Sequence, residues 1–342
     1  MTCDKASSRL SLAAAAALLV IAPAIGCAAE ALATRLAVSP PLPEWAFAVN
    51  PPLDPAAPPL PAAAEDVTPR QVPGSSRAYT TSQTTDYFNP PDWHPDAHPS
   101  MPEIVAHGRP PQVIACGYCH LPNGQGRPEN SSLAGLPAGY IAQQVSDFRT
   151  GKRIGSEPRH LPTAYMVTRE TQATEQEVLA AAQYFASLTP TRWVRVVETD
   201  TVPVTRIAGW MHVPTRPAHV EPIGQNIIEM AEDLERTELR DDASGFVAYA
   251  PRGSLAKGKL LVETGGANRT IQCNLCHGPD LRGVVIAPSI AGRSPSYIMR
   301  QLYDMQRGSR AGEGAALMAP VVAKLTLGEM LAIAAYTASL EP

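Results

Sequence analysis

Apolar residues recur at helical spacing in matched places along the chain. Val178, Leu179, Ala182, Phe185 and Leu188 fall on one face of a helix. That helix opens with Thr174-x-x-Glu177, a capping box, and a second box, Thr326-x-x-Glu329, opens a counterpart near the C-terminus. Tyr140, Ile141, Val145 and Phe148 predict an earlier helix over about 138–150, matched by Pro295 to Arg307. A further helix runs from Ser254 to Thr264 and stops at Gly265-Gly266. Its partner is stunted: Ser100-Met101-Pro102-Glu103 reads as a capping box with Pro in the first turn, and Gly108 ends it. The pattern changes over 191–252. Trp193 to Val197 and Val202 through Val213 alternate apolar and polar about a turn near Thr199-Asp200, which predicts a β-hairpin. Glu229 to Arg236 then reads as an acidic patch. The segment reads either as a structured spacer that packs two domains together or as a docking surface.

The matches are an internal repeat. Cys116 to Arg153 aligns without a gap on Cys273 to Arg310, an offset of 157. Shared positions include Ala134-Gly135 with Ala291-Gly292, Tyr140-Ile141 with Tyr297-Ile298, Gln144 with Gln301 and Asp147 with Asp304. After a five-residue length difference the match resumes, pairing Met166 with Met318, Thr174 with Thr326 and Tyr184 with Tyr336. A repeat of this size means two copies of one domain. The boundaries expected are a leader over 1–33, a Pro-rich disordered spacer over 34–88, a first domain over 89–190, the connecting segment over 191–252 and a second domain over 253–342.

Composition sharpens this. Of 342 residues only 6% are aromatic, while 35 are proline. Small domains so poor in aromatics have little material for a core, and a buried prosthetic group would supply it. The net charge of −4, with no basic run, argues against nucleic acid as a partner.

The repeat carries its chemistry in Cys116-Gly117-Tyr118-Cys119-His120 and Cys273-Asn274-Leu275-Cys276-His277. C-x-x-C-H is the signature of covalent haem c attachment. Two thiols at this spacing reach the two vinyl groups of one porphyrin edge, and the next residue, His, can bind the iron. Two flanked copies predict two covalently bound haem c groups, with zinc or a disulfide as the alternatives. Each iron needs a sixth ligand: Met, His or water. Met166 and Met318 both stand 18 residues before the matched tyrosine, Tyr184 or Tyr336, in stretches read as loops. They are the candidates for that place, whereas Met299, Met305 and Met330 read as helix filler. His160 competes in the first copy, although it reads more simply as an exposed loop residue. His94, His98 and His107 offer a bis-His alternative, and His212 and His219 read as structural. Pro288 offers a backbone carbonyl to the far nitrogen of His277. At the matched position, Ser131, the same contact for His120 is doubtful.

The first 33 residues read as an export signal, with Lys5 and Arg9, an apolar run from Leu10 to Ile25 and small residues after it. Ala31-Leu32-Ala33 is a cleavage site, Ala24-Ile25-Gly26-Cys27 a weak lipoprotein box, and Leu10 to Ala29 an uncharged run of 20 residues, long enough to anchor. All three fates stay open, and with them a membrane tether through the N-terminus. Eleven prolines between 39 and 73 predict an extended or polyproline II stretch.

The two C-x-x-C-H motifs, the Ala-Gly, Tyr-Ile and Gln blocks, the Met166 and Met318 stretches and the Tyr-x-Ala-Ser-Leu tails together resemble class I cytochrome c domains. The pair is similar to the di-haem cytochromes of the c4 and c553 kind. That resemblance implies an all-α fold of two tandem domains, with Met166 and His120, and Met318 and His277, closing the irons. It also implies a periplasmic one-electron carrier between a dehydrogenase donor and a cytochrome or oxidase acceptor, not an enzyme itself. The alternatives are a cytochrome subunit of a quinoprotein or flavoprotein dehydrogenase, or a di-haem enzyme such as a thiosulfate dehydrogenase. The connecting segment, 191–252, departs from the family.

Overall fold

The computed structural model describes residues 41–52, 67–215, 219–284 and 287–342. The predicted leader, Cys27 and much of the Pro-rich stretch lie outside the described residues.

Each half is a set of helices wrapped around its motif. In the first half these are Glu103–Ala106, Cys116–His120, Ala138–Arg149, Leu161–Thr168 and Glu175–Ser187. In the second they are Ser254–Thr264, Asn274–His277, Pro295–Arg307, the single turns Glu313–Ala316 and Ala319–Val322, and Leu327–Ser339. Both last helices start with the expected reciprocal caps. Thr174 Oγ1 accepts from the Glu177 amide, and Glu177 accepts from the Thr174 amide; Thr326 and Glu329 repeat the pair. The Glu175–Ser187 helix buries Val178, Ala181, Ala182, Tyr184 and Phe185. Leu179, expected on that face, is instead 51% exposed. No side-chain cap forms at Ser100, because Pro102 occupies the cap position of the Glu103–Ala106 helix.

The connecting segment corrects the expected all-α fold and single hairpin. Strand Val194–Thr199 pairs in parallel with Phe246–Pro251, placing Val194 opposite Phe246, and Ile228–Ala231 pairs antiparallel with the other edge of Phe246–Pro251. The cause lies in the apolar run Phe246-Val247-Ala248-Tyr249-Ala250, which is the pattern of a central strand flanked on both sides. A true hairpin does form further on, between Thr205–Ala208 and Met211–Pro214. Thr201–Pro203 pairs with Val220–Pro222. The supposed acidic patch begins in a strand, and Glu229 is buried. Its carboxyl accepts from the Ser294 hydroxyl (2.7 Å) and the Ser296 amide (3.2 Å), so an acceptor side chain from the connecting segment meets the first turn of the Pro295–Arg307 helix.

This segment braces both halves. Trp193 Nε1 donates to the Gly126 carbonyl (3.0 Å) in the first half, while Trp193, Met211 and Phe246 join the core of the second. The predicted spacer is also ordered where it is described. Glu44–Phe47 forms a helical turn, Phe47 is buried in the second core, and Arg300 donates to the Ala46 carbonyl. Thr81–Thr84 is a further turn with its own capping box.

The halves meet through their repeat-matched residues. Arg153 and Arg310 lie side by side as an antiparallel bridge. Arg153 donates to Gln144 and Gln301 (2.9 Å each) and to the Tyr297 hydroxyl (3.2 Å). Arg310 donates to the same two glutamines (2.9 Å each) and to the Tyr140 hydroxyl (2.8 Å). Each half therefore gives the other an arginine, a glutamine and a tyrosine, a pseudo-twofold joint.

In the second half, helices Ser254–Thr264 and Leu327–Ser339 cross at Gly258. A Cβ there would sit 2.0 Å from the Ala332 carbonyl oxygen. Gly258→Ala should therefore push the helices apart and cost about 1–3 kcal/mol, read as a lowered Tm. Gly139→Ala, where a Cβ would meet nothing within 4 Å, should leave Tm unchanged or raise it.

Candidate functional site

In the first half the Cys116–His120 turn sets its side chains against the Glu103–Ala106 helix. Gly117 is required there, since a Cβ would lie 2.8 Å from the Val105 carbonyl oxygen. A cleft opens beside the turn, its empty space about 1310 Å³ counting the part open to solvent. Cys116, Cys119 and His120 line it, and Met166 lines it too, with Leu136, Ile141, Val145 and Phe148 forming an apolar wall. The structure thus brings all four first-half candidates to one cavity. Met166 reaches it from the helix Leu161–Thr168, not from a loop as expected. Pro162, at the start of that helix, is the residue type that begins a helical turn easily.

His120 is buried, and its Nδ1 donates to the Ser131 carbonyl (2.8 Å). His277 does the same with the Pro288 carbonyl (2.7 Å). The doubt over Ser131 is thereby removed: a backbone carbonyl is the acceptor in both halves, and the side chain at that position is immaterial. A carbonyl can only accept, so the proton sits on Nδ1 and the lone pair on Nε2. Burial lowers the pKa of both imidazoles, opposed by these hydrogen bonds, and keeps them neutral. A neutral ring with Nε2 uncommitted is the form that ligates a metal.

The thiols are not arranged for other chemistry. Burial pushes Cys119 up to about 12 and Cys273 up to about 11, and raises Cys116 as well. All four are unpaired. Zinc needs thiolates gathered around one point. Among the described residues neither motif gathers three ligand atoms within 4.8 Å of one another. In the first half, thiols held protonated by burial beside an apolar cavity, with a neutral imidazole following, fit covalent attachment of a porphyrin.

The second half places Met318 at the junction of two short turns, just before Ala319–Val322, in the loop-like setting expected of it. Met318 and Cys273 both pack against the second core, alongside Tyr297 and Met305. Cys276 is exposed.

The competing histidines lie elsewhere. His160 is buried, not exposed. Its Nδ1 pairs with the Thr163 hydroxyl (2.9 Å), and burial followed by the Arg300 charge drives its pKa down to about 2. It does not line the cavity. His98 pairs with Asp92, and His107 with Asn89. His212 bridges Thr205 and the Trp45 carbonyl, a structural use as expected.

Residues that motif reading missed come from across the joint. Tyr297, Arg300, Gln301 and Asp304 of the second half line the first-half cavity with Arg153. Burial pushes the Tyr297 hydroxyl up, but Arg153 and Arg310 outweigh it and the net shift is down. The repeat-matched polar positions on otherwise apolar helices were the signal for this. Glu170 also lines the cavity, accepting from the Ile114 amide (3.3 Å). Burial pushes it up to about 7, against the Ile114 bond and Arg169.

The family model for cytochrome c matches residues 112–189. The chain is 26% identical over 235 residues to the thiosulfate dehydrogenase electron acceptor of Thiomonas intermedia, covering 67% of this chain and 80% of that one. It is 24% identical to cytochrome c4 of Pseudomonas aeruginosa, covering 66% and 83%. Over 77 residues it is 35% identical to cytochrome c-554(548) of Halomonas halodenitrificans, covering 22% of this chain and 93% of that one. A solved cytochrome c4 of Acidithiobacillus ferrooxidans aligns at 20% identity with a TM-score of 0.42, over 66% of this chain and 98% of that one.

The Glu170 carboxyl holds its proton in the folded chain at a pH where the unfolded chain has lost it. The folded state therefore binds more protons between about pH 4.5 and 7, and stability falls as pH rises through that window. The loss should reach at most about 3 kcal/mol. Glu170→Gln should flatten the slope, as read by denaturant melts at pH 5 and pH 8.

Proposed function

The chain belongs to the cytochrome c family, and from that membership we propose how its two sites are built and used. It is a di-haem c-type electron-transfer protein with two covalently bound haem c groups. In our reading Cys116 and Cys119 hold the first by thioether bonds, and Cys273 and Cys276 the second. His120 and Met166 would hold the first iron, and His277 and Met318 the second. The observation that carries this is the first-half cavity, which Cys116, Cys119, His120 and Met166 share, with His120 oriented by the Ser131 carbonyl.

Bound haem c supplies one-electron chemistry at its iron. This chain's residues set the terms. The imidazoles are held neutral and aimed by the carbonyls, and thioether sulfur favours the ferrous state. The apolar wall excludes water. Arg153 and Tyr297 offer donors to the carboxylates of a porphyrin in the first cavity. With a methionine and a histidine holding each iron, no place would be left on it for a substrate, so in this reading the chain relays electrons and is not itself the oxidising enzyme. Its donor is a dehydrogenase and its acceptor a further cytochrome or an oxidase, in the periplasm, met through small transient contacts. No described helix is long and apolar enough to cross a membrane, so a tether, if the mature chain carries one, belongs to the N-terminal stretch. A second reading, a standing electron-accepting subunit of a dehydrogenase complex, is favoured by the likeness to a protein named as the electron acceptor of thiosulfate dehydrogenase.

Carbon monoxide tests the closed irons. The reduced wild-type protein should show no spectral change. Met166→Ala and Met318→Ala should keep both haems attached, and each should bind the gas at one haem. Binding by the wild type would overturn the sealed-iron reading and point to an enzyme. Glu170 adds a pH signature. Its ionised form favours the more positive ferric centre, so the first haem's potential should fall, by tens of millivolts and by less than about 59 mV per pH unit, as pH rises through about 7. Redox titration of Glu170→Gln at several pH values should lose that dependence.

A further inference from the structure

Away from the first-half cavity and the second C-x-x-C-H turn, His94, Asp241 and Asp242 each offer one ligand atom, all within 4.8 Å of one another. His94 Nε2 lies 3.0 Å from Asp241 Oδ1 and 4.0 Å from Asp242 Oδ1. The Asp241 and Asp242 side chains are 0% and 3% exposed. Their partners are unequal. Asp241 accepts from Arg236 Nε (2.6 Å) on one oxygen and from the Ala243 amide (2.9 Å) on the other. Asp242 Oδ1 is buried without a hydrogen-bond partner. A buried carboxylate oxygen left unmatched, aimed at an imidazole and a second carboxylate, is costly unless a cation completes it.

We propose that His94, Asp241 and Asp242 form a binding site for a divalent transition-metal ion of the zinc type. The donor set decides the class. One imidazole nitrogen with two carboxylate oxygens suits a borderline cation, whereas calcium takes six to eight oxygens. Bonds of about 2.0–2.2 Å in a tetrahedron put ligand atoms about 3.3 Å apart. The observed 3.0 and 4.0 Å straddle that value, so small side-chain shifts would close the site, with water in the fourth place. The ion would replace the His94–Asp241 hydrogen bond, and Arg236 would go on orienting Asp241 from outside.

The site joins chain positions 147 residues apart beside the first haem motif. Trp93, next to His94, is buried and donates to the Leu239 carbonyl (2.8 Å). The Asp242 carbonyl accepts from Asn123 Nδ2. Arg240 stacks 3.5 Å over the Tyr118 ring and donates to the Tyr118 carbonyl (2.7 Å), inside the C-x-x-C-H turn. An ion here pins the connecting segment onto the first haem turn, so its role is structural.

The test uses the tag-free, full-length holoprotein, stripped with a chelator and titrated with Zn²⁺ by calorimetry. The wild type should take one equivalent, and Zn²⁺ should raise its Tm. His94→Gln and Asp242→Asn should each weaken binding by at least about 100-fold while retaining two haems. If either variant fails to fold, zinc-edge X-ray absorption of the wild type decides, and it should show one imidazole with oxygen ligands and no sulfur. No binding by the wild type, equal binding by the variants, or a sulfur-ligated zinc would overturn the proposal and leave a simple His–Asp ion pair.

Discussion

Everything at the two centres depends on a backbone carbonyl holding an imidazole. Ser131 and Pro288 supply it, 2.8 and 2.7 Å from Nδ1 of His120 and His277. That bond fixes the tautomer, leaves Nε2 uncommitted and stops the ring from turning. It also offsets part of the desolvation that burial imposes on the ring. Two halves with different side chains at the acceptor position reach the same geometry, because the backbone does the work in both. The C-x-x-C-H turn then places its thiols by spacing alone.

The joint between the halves is the second constraint. Arg310 is buried and Arg153 half-buried, and the two share a symmetric lattice of two glutamines and two tyrosines, with Arg310 Nε left buried without an acceptor. All of these joint residues but Arg310 also line the first cavity, so packing and cofactor environment cannot be changed separately. The connecting segment strengthens the joint. Glu229 caps a second-half helix while Trp193 and Arg240 hold first-half carbonyls. This is the behaviour of a structured brace, one of the two readings of 191–252.

Much of this was legible in the chain. Capping boxes gave the start of both last helices, Gly265 the end of the Ser254–Thr264 helix, and the repeat gave both C-x-x-C-H turns. Long-range pairing was not legible. Val194–Thr199 looked like half of a hairpin because its nearest alternating neighbour was Val202 onward, yet its partner lies some fifty residues later at Phe246–Pro251. Periodicity reports which face of a strand is buried and says nothing about which strand lies beside it. His160 and Glu229 were misread for a related reason. A polar residue carries no mark of burial until its partners are known, and those partners, Thr163 and Ser294, became visible only in the fold. Leu179 errs the other way, as an apolar residue that the helix leaves in solvent.

The central claim is that two haems in one chain are each closed by an imidazole and a thioether. Near-infrared magnetic circular dichroism of the oxidised wild-type protein reads axial ligation directly. The account predicts histidine–methionine signatures that integrate to two low-spin haems per chain. A bis-histidine signature, or a high-spin haem at either centre, would contradict it.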